Sequence, residues 1–346
     1  MTSRERLLAA IKNEPVDRVP VGPFGLGHLN PDDPFTWDFI QRTDPFISPG
    51  AGGDAIGGGN RRVTTEERTD ATVMTLRTPK GPLTRVHQRT NITSAVVEFY
   101  CKNHTDVETV LAMPYEPPEL DISQYNDWRE RVGEEALVIV GVGDGICFPA
   151  DYLSPEDFCL LWLDAPDLMR EMTRVGAERL NDYVTRVCEF GVDGFRIVGG
   201  EYASVQLGPE GFAELVVPFD RQMVDIMHRH DAIAYYHNHG PTAQYYAMFA
   251  EIGFDALDPL EASPWGDCDL SEAKAAMPDV CLVGNLDDME VIDKEPLEVV
   301  QQIGRERIAQ AGTRGFVLGG TASGTYTEQG ARGFMALVDV AEEVGA

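Results

Sequence analysis

The amino-acid sequence predicts an α/β fold, a (β/α)8 (TIM) barrel that occupies residues 1–346 as a single domain. Three observations predict it. Strand and helix patterns alternate six times beyond Pro114; the predicted strands are continuous apolar runs, as parallel strands buried on both faces require; and each run ends in polar or glycine-rich sequence. An N-terminal helix and an inserted β-hairpin complete the prediction. An open, doubly wound sheet is the alternative.

The beginning of the chain predicts one helix and one strand. Residues 2–12 are predicted to be helical, because Thr2 and Glu5 have the spacing of a capping box and the following apolar residues form one stripe. Pro15 ends that helix. Residues 18–21 then predict a short first strand.

Residues 22–115 predict a loop-rich insert within the barrel. Residues 22–59 are rich in glycine, proline and aspartate, and we expect loop there rather than core. Two runs of alternating polarity flank the Pro/Gly turn at residues 78–82, which indicates a β-hairpin. The insert carries no motif that predicts a function.

Six strand and helix units follow the insert. Together with the first strand and one further strand before Pro114, they supply the eight strands of a barrel. The predicted strands of these units are residues 136–142, 194–198, 232–236, 256–258, 280–283 and 315–318.

Polar side chains follow each predicted strand. The carboxyl ends of the strands of such a barrel form one rim, where the chemistry of these folds takes place. We therefore expect one mouth to be lined by Asp144, Glu201, His237, His239, Asp258, Glu261, Asn285, Asp287 and Ser323. A structural role stays open for each of them: for example, Asp258 can cap a loop, Asn285 can satisfy backbone groups in a turn and Asp287 can cap a helix.

The hexapeptide at residues 235–240, Tyr-Tyr-His-Asn-His-Gly, is the most informative stretch. Residues i and i+2 of a strand project to the same face, so the rings of His237 and His239 can reach one point. They either bind a metal or hydrogen-bond a substrate, and the hexapeptide alone fits both. Tyr235 and Tyr236 alternate faces, so at most one of them points into the mouth.

Composition excludes some partners. The formal net charge is −29, from 57 acidic and 28 basic residues, and a field of that sign argues against a nucleic-acid partner. No apolar stretch is long enough for a bilayer, and the N-terminus lacks the apolar core of a signal peptide, so we expect a cytoplasmic protein without membrane contact. The six cysteines include no C-x-x-C pair and are expected to be reduced.

Several motifs together resemble the uroporphyrinogen decarboxylase superfamily, which includes corrinoid-linked methyltransferases. They are residues 4–7 and 17–21, the His-x-His-Gly at residues 237–240, and Gly-Asn-Leu-Asp at residues 284–287. The resemblance implies a (β/α)8 barrel. The true decarboxylase carries Met-Arg-Gln-Ala-Gly-Arg-Tyr after its first strand, whereas residues 22–28 here are Gly-Pro-Phe-Gly-Leu-Gly-His. Without those arginines, a multiply anionic porphyrinogen is not the expected substrate.

The methyltransferase branch is more similar, although it differs at the metal ligands. Its members bind zinc through His-x-Cys-Gly at this strand end and through a second cysteine after the last strand. This sequence keeps His237 and Gly240, has His239 in place of the first cysteine, and has Thr-Ala-Ser-Gly at residues 321–324 in place of the second. The resemblance therefore implies a zinc (Zn2+) site formed by His237, His239 and Glu201, a set of nitrogen and oxygen ligands.

Zinc without thiolate ligands keeps more positive charge. This ligand set therefore favours a substrate whose methyl group is attached to an oxygen that the metal can polarise. The hypothesis is a zinc-dependent methyltransferase that moves a methyl group from an O-methyl (or N-methyl) small molecule to a corrinoid (cobalamin) carried by a partner protein. Glu201 or Asp144 would handle a proton. The expected substrate-binding residues are Asn285, Tyr236, Glu261 and Ser323.

Two rival functions stay open. The first is a non-porphyrin decarboxylase or lyase on the same barrel, with His237 and Glu201 as acid and base and without a corrinoid. The second is a barrel that has lost catalysis and serves as a binding subunit. Metal content separates the first rival from the methyltransferase, and turnover of any substrate excludes the second.

Overall fold

The computed structural model describes residues 1–321 and 324–345. Within these residues no helix is long and apolar enough to span a bilayer. The strands are β1 (Phe46–Ile47), β2 (Val63–Glu67), β3 (Ala71–Thr78), β4 (Gly81–Arg89), β5 (Ser94–Glu98), β6 (Leu137–Val138), β7 (Val140–Gly143), β8 (Gly194–Val198), β9 (Ile233–His237), β10 (Ala256–Asp258), β11 (Cys281–Leu286) and β12 (Phe316–Gly320).

Helices follow the barrel strands and surround the sheet. A 3-10 turn (Ala243–Tyr245) and a π-helical turn (Asp288–Ile292) precede two of them. The helices are α1 (Ser3–Ile11), α2 (Pro34–Arg42), α3 (His104–Leu111), α4 (Ser123–Val132), α5 (Cys147–Tyr152), α6 (Pro155–Asp164), α7 (Pro166–Cys188), α8 (Glu201–Gln206), α9 (Gly208–Leu215), α10 (Val217–Arg229), α11 (Tyr246–Ile252), α12 (Leu270–Ala276), α13 (Leu297–Ala311) and α14 (Glu328–Val344).

Backbone hydrogen bonds close the sheet into a barrel. Strands β7 to β12 are parallel and pair in chain order, and β1 pairs in parallel with β6. The extended segment 19–24 joins the two sheets: the N–H of Gly22 donates to the carbonyl of Leu318 on β12 at 2.9 Å, and the N–H of Phe46 on β1 donates to the carbonyl of Pro23 at 3.0 Å. The predicted (β/α)8 barrel is confirmed.

Alternate side chains of each strand point to the barrel interior and to the helices. Tyr235 and Val283 belong to a buried cluster inside the barrel, whereas Tyr236 and Leu282, each one position away, belong to the larger cluster between sheet and helices. The same alternation directs Arg196 and other polar residues of the strands inward, as a strand period of two requires. The polar site is therefore built on the interior face, above an apolar floor.

The N-terminal third differs in part from the prediction. Helix α1 has the predicted capping box between Thr2 and Glu5. The predicted hairpin is β3 and β4, which lie in a four-stranded antiparallel sheet with β2 and β5. Residues 22–59, however, are not loop alone: they contain α2 and the second barrel strand, β1, whose Phe46 is fully buried. A strand of two residues is too short to show periodicity in the sequence.

Candidate functional site

A buried polar cluster lies inside the barrel where the strands end. Arg196 of β8, His237 of β9 and Asp258 of β10 face the interior on three adjacent strands. The Nη2 of Arg196 donates to Oδ2 of Asp258 at 3.1 Å, and Nδ1 of His237 lies 3.0 Å from Oδ1 of the same carboxylate. The ring centroid of Phe24 lies 3.9 Å from the Arg196 guanidinium carbon, a cation–π contact that covers the cluster.

The charges in this cluster determine what His237 can do. Burial raises the pKa of Asp258, but the charges of Arg196 and His237 outweigh burial and hold that pKa at about 2, so the carboxylate is ionised. Nη2 of Arg196 also lies 2.6 Å from Nδ1 of His237. Nδ1 can accept from Arg196 or donate to Asp258, but not both at once. His237 therefore has a protonated Nε2 in the first case and an Nε2 lone pair in the second.

The second histidine is held by its own carboxylate. The His237 and His239 rings are perpendicular, with centroids 4.4 Å apart. Nδ1 of His239 lies 3.1 Å from Oε1 of Glu261, and the N–H of Gly240 donates to Oε2 of Glu261 at 2.7 Å. The hydrogen bond that His239 donates to Glu261 raises the pKa of His239. Burial raises the pKa of Glu261, but His239 and the Gly240 N–H outweigh burial and lower it.

A cavity of about 400 Å³ opens beside this pair, between the ends of β10 and β11 and helix α13. We call it the Trp265 cavity; its polar and aromatic lining residues are Glu261, Ser263, Trp265, Asn285, Asp287, Glu290, Arg307 and Thr321. Asn285 is buried, and its Nδ2 donates to the Leu260 carbonyl at 2.9 Å. Its Oδ1 has no hydrogen-bond partner in the part of the chain that the structure describes. Such an oxygen is available to a ligand.

Two predicted site residues lie on the outer face of the sheet, not at the mouth. Asp144 is fully buried, and its Oδ1 accepts a hydrogen bond from the Cys147 thiol at 3.4 Å. Burial, and next the neighbouring Asp220, raises the pKa of Asp144 well above its usual range. The Tyr236 hydroxyl donates to Asp220 at 2.7 Å, and its ring stacks on Phe254. Both side chains lie beside Asp220 of α10 rather than with the polar cluster inside the barrel.

The remaining predicted residues separate into three groups. Glu261, Asn285 and Asp287 lie together in the lining of the Trp265 cavity. Glu201, at the start of α8, accepts a hydrogen bond from the Gly199 N–H at 3.3 Å. Ser323 lies outside the described residues.

The fit of zinc rests on the two imidazoles. Each Nδ1 lies beside a carboxylate, which is how proteins orient metal-binding histidines, and neither Nε2 has a hydrogen-bond partner among the described residues. A catalytic zinc site takes three protein ligands. Over the described ranges, no three His, Cys, Asp or Glu side chains are grouped so that they could hold a metal, and the set His237, His239 and Glu201 is not assembled. Zinc at this site stays a prediction.

Arg196 is the site residue that sequence reasoning missed. It is 8% exposed and contacts both His237 and Asp258. The signal was available, because an arginine in the middle of the apolar run at residues 194–198 must be paired inside the fold. The period of the strand then places it on the interior face.

Comparison with solved structures supports the fold. A methyltransferase from Methanosarcina mazei superposes with a TM-score of 0.66 at 15% sequence identity, over 99% of each chain. A B12-independent methionine synthase from Shewanella sp. W3-18-1, with a TM-score of 0.46 at 11% identity, covers 82% of this chain and 74% of its own. At 15% identity the first likeness concerns fold alone, and the second TM-score, below 0.5, is too low to support a conclusion about this chain.

Comparison of sequences identifies the family. No curated protein matches the chain. The family model described as uroporphyrinogen decarboxylase (URO-D) matches residues 126–344, which is more than half of the sequence and includes β7 to β12 with all the residues of the polar cluster. The chain belongs to the uroporphyrinogen decarboxylase family.

Proposed function

We propose that the protein is a methyltransferase that moves a methyl group from an O-methyl or N-methyl small molecule to a reduced corrinoid carried by a partner protein. One observation carries the proposal: two adjacent imidazoles at the strand ends are each fixed through Nδ1 by a carboxylate, Asp258 for His237 and Glu261 for His239. The similarity in fold to a methyltransferase is consistent with this chemistry.

The residues of the cluster supply what a demethylation step needs. When a methyl group leaves an ether, the C–O bond breaks, its electron pair stays on oxygen, and the oxygen takes up a proton. His239 is the proton donor in this proposal, because Glu261 raises its pKa and so keeps the ring protonated closer to neutral pH. If zinc were bound instead through the Nε2 atoms of His237 and His239, neither Nε2 would carry a proton, and the metal would stabilise the leaving oxygen in place of proton donation by His239.

A partner protein needs a surface at the mouth, and the chain exposes apolar side chains there. Tyr202 and Val205 on α8, Trp265 after β10 and Met289 after β11 are 39%, 61%, 64% and 52% exposed. All four lie on connections that follow the carboxyl ends of barrel strands. Exposed apolar groups at a binding mouth are typical of a docking surface.

The contacts of Arg196 disfavour porphyrinogen decarboxylation as the function of this protein. Arg196 is buried under Phe24, and its guanidinium contacts Asp258 and His237. A substrate with many carboxylates needs cations that are free to bind them.

The test is a methyl-transfer assay with purified protein, free reduced cobalamin as the probe acceptor, and a panel of methoxy and methylammonium compounds. Formation of methylcobalamin supports the proposal. The His239→Gln variant should lower the rate by about 100-fold or more, the usual effect of removing an acid–base group. The matched control is His228→Gln, which removes a His–carboxylate pair with Asp255 at 3.0 Å, far from the mouth, and should leave the rate unchanged.

The alternative is a non-porphyrin decarboxylase or lyase. The arrangement of Arg196 and Asp258 around Nδ1 of His237 favours it, because switching tautomer would let Nε2 release and accept a proton. Release of carbon dioxide from small carboxylic acids, with no methyl transfer to cobalamin, would replace the methyltransferase with this function. Elemental analysis adds an independent measurement: zinc lost in the His237→Ala/His239→Ala double variant would favour the methyltransferase.

A further inference from the structure

We propose that the Trp265 cavity binds the methyl donor, and that the donor is a small zwitterion with a carboxylate at one end and a methylated ammonium at the other. This inference rests on the proposed function and names its substrate class. The cavity begins at Glu261, which holds His239, and extends to Arg307 on α13. Its volume of about 400 Å³ lies in the range of small-molecule sites.

Arg307 recognises the carboxylate in this proposal. Its Nη1 donates to Oε1 of Gln310 at 3.1 Å, a neutral acceptor, and its buried Nε has no partner within the described ranges. No carboxylate of the described residues forms an ion pair with it, although the protein carries twice as many acidic as basic residues. A guanidinium in a cavity without an acidic partner fits a carboxylate from the ligand.

The other lining residues recognise the ammonium. Trp265 offers an indole ring, and the rings of tryptophan bind quaternary ammonium groups through cation–π attraction. Asn285 offers the buried Oδ1 that has no partner among described residues, and the partial negative charge on this oxygen attracts a cation without a hydrogen bond. Glu261 and Asp287 add carboxylates beside it. These acceptors and carboxylates lie at the ends of β10 and β11, whereas the cation without an acidic partner lies on α13.

A methylated ammonium is also a chemically favourable donor. If the nitrogen is quaternary and its methyl carbon passes to a reduced corrinoid, the C–N bond breaks, its electron pair stays on nitrogen, and a neutral tertiary amine is left. No proton has to be delivered to that leaving group. An ether gives an alkoxide in the same step and requires an acid or a Lewis acid.

The inference is tested by binding, without any corrinoid. Isothermal titration calorimetry compares glycine betaine, which has both charges, with choline, which lacks the carboxylate, and with anisole, a neutral ether. Betaine is expected to bind about tenfold or more tightly than choline, because a charged hydrogen-bonded partner is lost in choline. Equal affinity for both, or no betaine binding, overturns the inference.

Variants locate the two ends of the ligand. Arg307→Gln is expected to weaken betaine binding by about tenfold or more and to leave choline unchanged. Trp265→Leu is expected to weaken both by about threefold. The control is Arg305→Gln on the same helix, which removes an exposed ion pair with Glu343 and should change neither affinity. Unchanged betaine affinity in Arg307→Gln overturns the assignment.

The binding and methyl-transfer experiments can contradict the cavity assignment and the proposed function independently. Betaine binding without methyl transfer to reduced cobalamin would contradict the proposed function and leave the cavity assignment in place. Methyl transfer from a neutral ether, with no betaine binding, would contradict the cavity assignment and leave the proposed function in place.

Discussion

Arg196 and Asp258 form an ion pair inside the barrel, with 3.1 Å between Nη2 and Oδ2, and neither side chain is more than about one-tenth exposed. A buried pair is sensitive to loss of one partner, because the other charge is then left without compensation. The pair therefore orients the ring of His237, and its loss is expected to destabilise the strand ends.

Replacing Arg196 by methionine is expected to lower the free energy of unfolding by about 3–5 kcal/mol, because the Asp258 carboxylate stays buried alone. The pKa of Asp258, about 2 in the protein, should rise in this variant. Urea denaturation at pH 7 measures the loss. The double variant Arg196→Met/Asp258→Asn also removes the isolated charge, so it should recover part of the lost free energy of unfolding. A loss below about 1 kcal/mol in the single variant would contradict the prediction.

Replacing Glu261 by glutamine is expected to lower the pKa of His239 toward 6.5, because the hydrogen bond that raises it is lost. NMR titration of the histidine ring measures this shift. The control, Asp255→Asn, should lower the pKa of His228, which Asp255 raises, and leave His239 unchanged.

The pair of His239 and Glu261 stabilises the protein over a limited range of pH. The raised pKa of His239 contributes stability that is complete below pH 6.5 and is lost as pH rises through the folded-state pKa of His239. The lowered pKa of Glu261 contributes stability that is complete above pH 4.5 and is lost as pH falls through the folded-state pKa of Glu261. The destabilisation by Glu261→Gln should therefore be larger at pH 5.5 than at pH 9. Equal destabilisation at both would count against the ion pair.

Replacing Asp144 by asparagine is expected to stabilise the protein at pH 8 by about 1 kcal/mol or more and to change little at pH 5. Burial, then Asp220, raises the pKa of Asp144 well above 3.8, and burial raises that of Asp220 to about 7. The folded state therefore binds more protons than the unfolded chain, so wild-type stability falls as pH rises through these values. Asparagine removes one of the two charges.

Urea denaturation at the two pH values measures this effect. Asp225→Asn, on the exposed side of the helix that carries Asp220, should keep the wild-type pH dependence. A parallel fall of stability in wild type and Asp144→Asn would show that the buried carboxyl pair does not hold a proton.

Replacing Gly199 by alanine is expected to destabilise the protein by about 2–4 kcal/mol. Gly199 has φ +148°, and an added Cβ would lie 2.0 Å from Oδ1 of Asp144 and 2.7 Å from the Cys147 sulfur. Gly208 also has positive φ, +72°, but nothing lies within 4 Å of its Cβ position. Gly208→Ala should therefore cost only about 1 kcal/mol. Similar melting temperatures for the two variants would exclude the steric explanation.

The sequence predicted the barrel because its strands are long apolar runs with polar ends, and the same pattern led to the histidine pair and to Glu261. It did not reveal β1, because two extended residues in a glycine-rich segment leave no periodic signal. It also placed Tyr236 and Asp144 at the mouth. The side of the sheet to which a terminal residue points depends on register, and a shift of one residue reverses it.

Arg196 and the Trp265 cavity were missed for different reasons. An arginine within a buried strand is visible in the sequence, but its partners lie on two other strands and only the fold identifies them. The cavity brings Trp265, Asn285 and Arg307 together from a loop, a strand and a helix, and no local pattern joins residues that far apart in the chain. Tertiary packing alone creates it.

Closure of the barrel through the segment 19–24 has a consequence for synthesis of the protein. Val21 forms its bridge with Leu318, so the first strand has no partner on that side until nearly the whole chain has left the ribosome. Pairing between residues so far apart is slow, because a large loop must close first. During translation the nascent barrel therefore exposes one strand edge, and we expect chaperone dependence to be greatest before residue 318 emerges.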